Sequence, residues 1–300
     1  MKTIPCGKLL AIFTLVFALA GSLNAQYARG RVVEGKSINS DILGRSVNYS
    51  VYLPYDYDSS ERQYPVVYLL HGLGDSHTGW TQFGEIQLAA DKAIAEQTIA
   101  PMIIVMPAAD RTWYVNNYDN SVRYEDFFFE EFIPEIESTY RIRSDKLFRG
   151  IAGLSMGGYG SLVYSMRHPD MFAACAAFSS GIECAEDIVK LTDEHWNSVF
   201  GPVFGPDLKG EERIGEHFQN YDVLNIARTY EVEKLSSVRF YLDCGDDDFL
   251  YRGNAMLHII LRDRGVYHEN RMRNGPHNWS YWRSGITDGL AFISESFHQK

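Results

Sequence analysis

The sequence predicts an α/β fold built on a mostly parallel, doubly wound sheet flanked by helices. Three observations predict it. Short continuous apolar runs at residues 65–70 and 102–106 have the character of strands buried on both faces. Segments with helical spacing lie between such runs, so strands and helices alternate along the chain. Gly153-Leu154-Ser155-Met156-Gly157 places a glycine-flanked serine where strand-like sequence gives way to helix-like sequence.

The elements follow in order. Residues 31–33 and 47–53 combine β-branched and aromatic side chains, as strands do. The 65–70 strand ends at His71-Gly72, residues 86–99 have helical spacing, and 102–106 is the next strand. Residues 124–140 predict a helix with Phe127, Phe128, Phe132, Ile133 and Ile136 on one side, and Pro134 predicts a kink or break in it. Leu147, Phe148, Ile151 and Ala152 read as a strand, and residues 161–167 as the helix after the serine. Residues 172–178 and 238–242 are further buried strands. Residues 251–264 form a helix stopped by Gly265, 266–272 the last strand, and about 279–297 the final helix. Residues 181–237 break the rhythm with Gly201, Pro202, Gly205, Pro206 and Gly210 among aromatics and charges. That length exceeds a plain connector, and a cap-like insertion near the site is expected; a surface excursion is the competing reading.

The ends and the composition narrow the function. Lys2 and Lys8 precede an apolar run over residues 9–20, followed by small and polar residues to Ala25. This predicts a signal peptide over residues 1–25 and a secreted or periplasmic protein with no stable membrane anchor after cleavage. The apolar run is short for a bilayer span. The remaining chain, about 275 residues, suits a single α/β domain over 26–300. The net charge is −11, and loss of two lysines with the signal makes it more acidic. Without a basic cluster, nucleic acid is an unsuitable partner. Of the four cysteines, Cys6 lies in the expected signal; the three that remain, Cys175, Cys184 and Cys244, are odd in number and not spaced as zinc ligands, so neither a disulfide framework, a metal nor another cofactor is expected.

A serine on such a turn projects its hydroxyl above the sheet edge, and the helix behind it aims free N–H groups at a developing oxyanion. The hydroxyl needs a base, and the base needs an acid to fix its tautomer. The 238–242 strand runs into Asp243-Cys244-Gly245-Asp246-Asp247-Asp248, where four aspartates compete for the role of acid, and spacing does not separate the last three. Gly275-Pro276-His277-Asn278-Trp279 follows the last strand, so His277 can reach over Ser155. Leu70-His71-Gly72-Leu73-Gly74 ends an early strand, and the N–H groups of Leu73 and Met156 can together form an oxyanion hole. His71 and His77 precede the serine and fall outside the expected Ser, acid, His order, and His168 ends the helix that follows. Trp80, Trp113, Tyr114, Trp279 and Trp282 lie near these loops and can stack on a sugar ring or a phenolic acyl group, with core packing as the alternative.

These motifs resemble the esterase D superfamily. Leu70–Gly74, Gly153–Gly158, the Cys244–Leu250 run and the Gly275–Trp282 run carry the resemblance, which extends from about Asn48 to Phe297. It implies an α/β-hydrolase fold and a serine carboxylesterase. It also implies Asp248 as the acid, because the family's acid stands two residues before a leucine in a Cys-Gly-x-x-Asp-x-Leu run. The superfamily includes feruloyl and acetylxylan esterases (the family-one carbohydrate esterases), S-formylglutathione hydrolases and mycolyltransferases, and predicted export disfavours the cytoplasmic formylglutathione role. The expected substrates are small-molecule or oligosaccharide esters, feruloyl or acetyl, from plant polysaccharides. An acyltransferase, a short-chain esterase without carbohydrate preference and a non-catalytic glycan-binding protein are the alternatives.

Overall fold

The computed structural model describes residues 28–297, so the expected signal segment lies outside the described residues. Eight strands form one sheet: β1 (Arg31–Ser40), β2 (Arg45–Leu53), β3 (Val66–Leu70), β4 (Ile103–Pro107), β5 (Arg149–Leu154), β6 (Ala174–Phe178), β7 (Arg239–Gly245) and β8 (His268–Arg273). Their order is β1-β2-β4-β3-β5-β6-β7-β8. Pairing is antiparallel from β1 to β2 and from β2 to β4, and parallel across the remainder. This is the expected α/β-hydrolase arrangement.

Every residue of β3, β4, β5 and β6 is buried, because helices cover both faces. Alternate side chains serve two cores. Val66, Tyr68, Leu70, Ile103, Val105 and Ile151 pack on one face with the Met156–Arg167 helix. Val67, Leu69, Ile104, Met106, Ala152 and Leu154 pack on the other with the Ile86–Ala95 and Trp279–Ser296 helices. The period-two alternation of a strand thus feeds both layers from one apolar run.

Four details differ from the sequence reading. β1 continues to Ser40, well past Val33; it is an edge strand whose Glu34 and Lys36 are exposed, so it carries little apolar signal. Leu147 and Phe148 lie in a 3₁₀ turn (Lys146–Phe148) outside β5, and Leu147 is exposed. The helix of residues 86–99 stops at Ala95, beyond which Gln97 takes a positive φ of 59°. Finally, of the kink or break expected at Pro134, the break does not occur. The chain runs from Tyr124 to Thr139 with a π-helical stretch at Phe127–Phe132 immediately before the proline. The wider turn makes room for the ring and absorbs the hydrogen bond that a missing N–H cannot make.

Residues 181–237 fold into a chain of short helices, including Ala185–Lys190, Asp193–Val199, Glu216–Tyr221 and Val223–Thr229. Trp196, Phe200, Phe204 and Phe218 are buried within it. Tyr221 ties it to the main body by donating its hydroxyl to Glu125 (2.8 Å), which also receives Arg167. The short helices explain why the segment lacks a long periodic signal.

Candidate active site

The parallel strands deliver the predicted residues to one edge of the sheet. Ser155 follows β5, the Asp246–Asp248 turn follows β7, the loop of His277 follows β8, and the Gly72–Gly74 loop follows β3. Ser155 adopts φ 54° and ψ −120°, a conformation that L-residues avoid and that its surroundings enforce. Its N–H donates to the Phe178 carbonyl, and its own carbonyl accepts from Tyr159 and Gly181. The flanking glycines are needed for close approach. A methyl group at Gly153 would strike the Gly157 backbone, and one at Gly157 would strike the Leu70 carbonyl. Gly153→Ala is therefore expected to cost about 1–3 kcal/mol by overpacking. A urea titration showing an unchanged midpoint would contradict this packing.

Ser155, His277 and Asp248 stand in hydrogen-bonded series. Ser155 Oγ lies 3.0 Å from His277 Nε2, and His277 Nδ1 lies 2.9 Å from Asp248 Oδ2. Asp248 is buried and also accepts the Leu250 N–H at 2.9 Å. Burial alone would raise its carboxyl pKa, but hydrogen bonds from His277, Ser179 and Leu250 outweigh burial and hold it below the ordinary value. The carboxylate is thus charged at neutral pH and accepts the Nδ1–H, leaving Nε2 free to receive the serine proton. The imidazole lies between Phe249, 4.6 Å away by ring centres, and the edge-on Trp282 at 4.8 Å.

The other three aspartates are placed elsewhere. Asp243 is fully buried, pairs with Arg273 at 3.0 Å and accepts the Tyr281 hydroxyl. Asp246 caps the Gly275 N–H at 3.0 Å, which braces the loop of His277. Asp247 is exposed and makes no side-chain hydrogen bond or ion pair among the described residues.

Leu73, Leu154, Ser155, His277, Trp279 and Trp282 line a cleft of about 330 Å³ with Gly72, Asp75 and Asn278. The N–H groups of Leu73 and Met156 have no acceptor among the described residues, which leaves both available to a ligand oxygen. His71, set aside by the order of the motifs, turns out to hold the first of these loops. Its Nε2 accepts the Ala109 N–H (2.9 Å), so Nδ1 carries the proton and donates to the Gly72 carbonyl (2.8 Å). Burial pushes the His71 pKa down, which keeps the ring neutral in this role. Its position between a buried strand and two glycines was the only sequence signal for it.

The five aromatic candidates divide. Trp279 and Trp282 line the cleft. Trp80, Trp113 and Tyr114 do not, and the expectation that they meet substrate is corrected. Trp80 is fully buried, donates Nε1–H to the Leu70 carbonyl (2.9 Å) and supports Trp279 edge-on at 5.2 Å. Tyr114 is fully buried and donates to the His71 carbonyl (2.9 Å). Trp113 is buried, stacks on Phe200 at 4.9 Å and donates to the Val199 carbonyl (3.0 Å), joining the 181–237 segment to the body. Large aromatic side chains are as useful to a core as to a ligand, so proximity in sequence did not separate the two uses. The 181–237 segment contributes no residue to the cleft lining and flanks it instead, through the Gly181 N–H bonded to the Ser155 carbonyl (2.8 Å).

The chain is similar to known esterases over most of its length. The model of the family described as "Putative esterase" matches residues 40–293. A solved ferulic acid esterase is 32% identical, with a TM-score of 0.75, over 90% of this chain and 99% of the other. An acetyl esterase from Caldicellulosiruptor saccharolyticus is 25% identical over 85% of this chain and 96% of its own length. An endo-1,4-beta-xylanase/feruloyl esterase from Xylanibacter ruminicola is 33% identical over 50% of this chain, a match spanning only 22% of that larger protein.

Proposed function

Because the chain belongs to this esterase family, we propose that it is an exported serine carboxylesterase that removes feruloyl or acetyl groups from plant-polysaccharide fragments. The hydrogen-bonded series from Asp248 through His277 to Ser155 carries this reading. His277 Nε2 takes the Ser155 proton as Oγ attacks the ester carbonyl. The N–H groups of Leu73 and Met156 receive the negative charge that develops on the carbonyl oxygen. Asp248 steadies the imidazolium, which then protonates the departing alcohol. Water, activated by the same imidazole, attacks the acyl-Ser155 and releases the acid.

Two observations favour an aromatic acyl group over acetyl alone. Trp279, Trp282, Leu73 and Leu154 give the cleft an apolar, partly aromatic portion of wall beside the polar Asp75 and Asn278. The solved ferulic acid esterase supports the same preference through its similarity along nearly the whole chain. Export is supported by the apolar N-terminal run after Lys2 and Lys8.

A panel of methyl ferulate, acetylated xylan and p-nitrophenyl acetate tests the substrate class, and a burst of p-nitrophenol equal to the enzyme concentration reports the acyl-enzyme. Trp279→Ala is expected to raise KM for methyl ferulate by about three- to tenfold, the worth of one aromatic contact of about 0.5–1.5 kcal/mol. An unchanged KM would remove Trp279 from the acyl site.

A further inference from the structure

We propose that a second groove, at the far end of the sheet from Ser155, binds a carboxylate-bearing sugar such as a hexuronic acid side group of a polysaccharide; the sugar part of this proposal rests on the carbohydrate-ester reading above. The groove has a volume of about 560 Å³, within the range of small-ligand sites. It is built where the chain enters the strands: Tyr64 precedes β3, Pro101 precedes β4 and Phe148 precedes β5. Ser155 follows the opposite end of β5, a six-residue strand that spans about 20 Å.

The lining is unusual for this protein. The chain has 39 acidic against 28 basic residues, yet among the described residues the groove lining presents Arg62 and Arg143 and no acidic side chain. Both guanidinium groups rest on aromatic rings, Arg62 over Tyr64 (4.7 Å) and Arg143 over Phe148 (3.3 Å). Arg62 is already paired with Asp56 at 2.6 Å. Arg143 is exposed and makes no side-chain hydrogen bond or ion pair among the described residues, so its guanidinium donors are free above the Phe148 ring. Tyr64 is buried, hydroxyl included, and forms the floor beneath Arg62. The side-chain amides of Gln63 and Gln97, also in the lining, are unpaired among the described residues. Tyr55 adds a half-exposed ring, 50% accessible.

A planar guanidinium with its donors free matches a carboxylate in two-point fashion. The amides of Gln63 and Gln97 supply partners for sugar hydroxyls, and the exposed Tyr55 ring covers the apolar side of a pyranose ring. The combination fits an acidic sugar better than a neutral one. Because the groove lies away from Ser155, it would hold the enzyme on an acidic polymer and raise the local concentration of ester without touching the chemistry.

Affinity electrophoresis of the signal-free protein through glucuronoxylan and through a neutral arabinoxylan tests this. Retardation is expected in the acidic polymer alone. Arg143→Ala should weaken it by about tenfold, as loss of a charge-assisted hydrogen-bond pair does, and Arg143→Lys should restore part of it. Arg143→Ala should turn over p-nitrophenyl acetate as wild type does and unfold at the same temperature. Equal retardation in both polymers, none in either, or retardation unaffected by Arg143→Ala would each overturn the proposal. Displacement by inorganic phosphate but not by glucuronate would also overturn it, pointing to a phosphate site. A failure of the esterase reading shows separately, as absent wild-type turnover of p-nitrophenyl acetate and methyl ferulate.

Discussion

Asp248→Asn is expected to lower kcat by about 10³–10⁴ with the fold intact. An asparagine can turn its amide N–H toward His277 Nδ1, which favours the tautomer with the proton on Nε2. That proton then faces Ser155 Oγ and no base remains. Asp247→Asn should stay close to wild type, because its exposed side chain has no bonded partner among the described residues. Asp246→Asn should cost little, since an amide oxygen still accepts the Gly275 N–H. Parallel kcat measurements on the three variants check the assignment, and a larger loss in Asp247→Asn than in Asp248→Asn would contradict it. The pH dependence has a definite sign. Folding lowers the Asp248 pKa, so its contribution to stability is fully present above the unfolded carboxyl value and is lost as the pH falls through the folded one. The carboxylate therefore stays charged as the pH falls below neutral until that lowered value is reached, and Asp248 keeps its hold on His277 Nδ1 over that span.

Ser155→Ala is the second large effect. It removes the attacking oxygen but leaves the backbone, the two free N–H groups and the cleft in place. Residual turnover at or below about one part in 10⁵–10⁶ is expected, the scale of losing a nucleophile of this kind. The variant should unfold no earlier than wild type. Relief of the positive φ by substitution is not expected, because alanine is as strained there as serine. Steady-state assays with p-nitrophenyl acetate and a thermal melt check both statements.

Much of this site was legible because its residues sit where strands end, and strand ends are marked by apolar runs meeting glycine. Ser155 was the clearest, since two glycines flank a position where the backbone packs on itself. His277 followed from the loop between a last strand and a last helix. The four aspartates were harder. Residues 246–248 occupy a tight turn in which neighbouring side chains point in different directions, and only the structure shows Asp246 bonded to Gly275 and Asp248 to His277. Burial was harder still. Nothing local distinguishes Trp80, which supports Trp279 from beneath, from Trp279 itself. Phe249, 70% exposed beside His277, gave no periodic signal because it lies in the same turn as the acid. The same limit hid β1 beyond Val33, where an edge strand presents charged side chains to water.

The central claim is that Ser155 is a nucleophile activated by neutral His277, and covalent labelling tests it most directly. A serine-directed fluorophosphonate should add once per molecule, and peptide mapping by mass spectrometry should place the adduct on Ser155. His277→Ala should slow the labelling severely, because it removes the base 3.0 Å from Ser155 Oγ. An adduct on another residue, or labelling of Ser155 at the same rate with His277→Ala, would contradict the account.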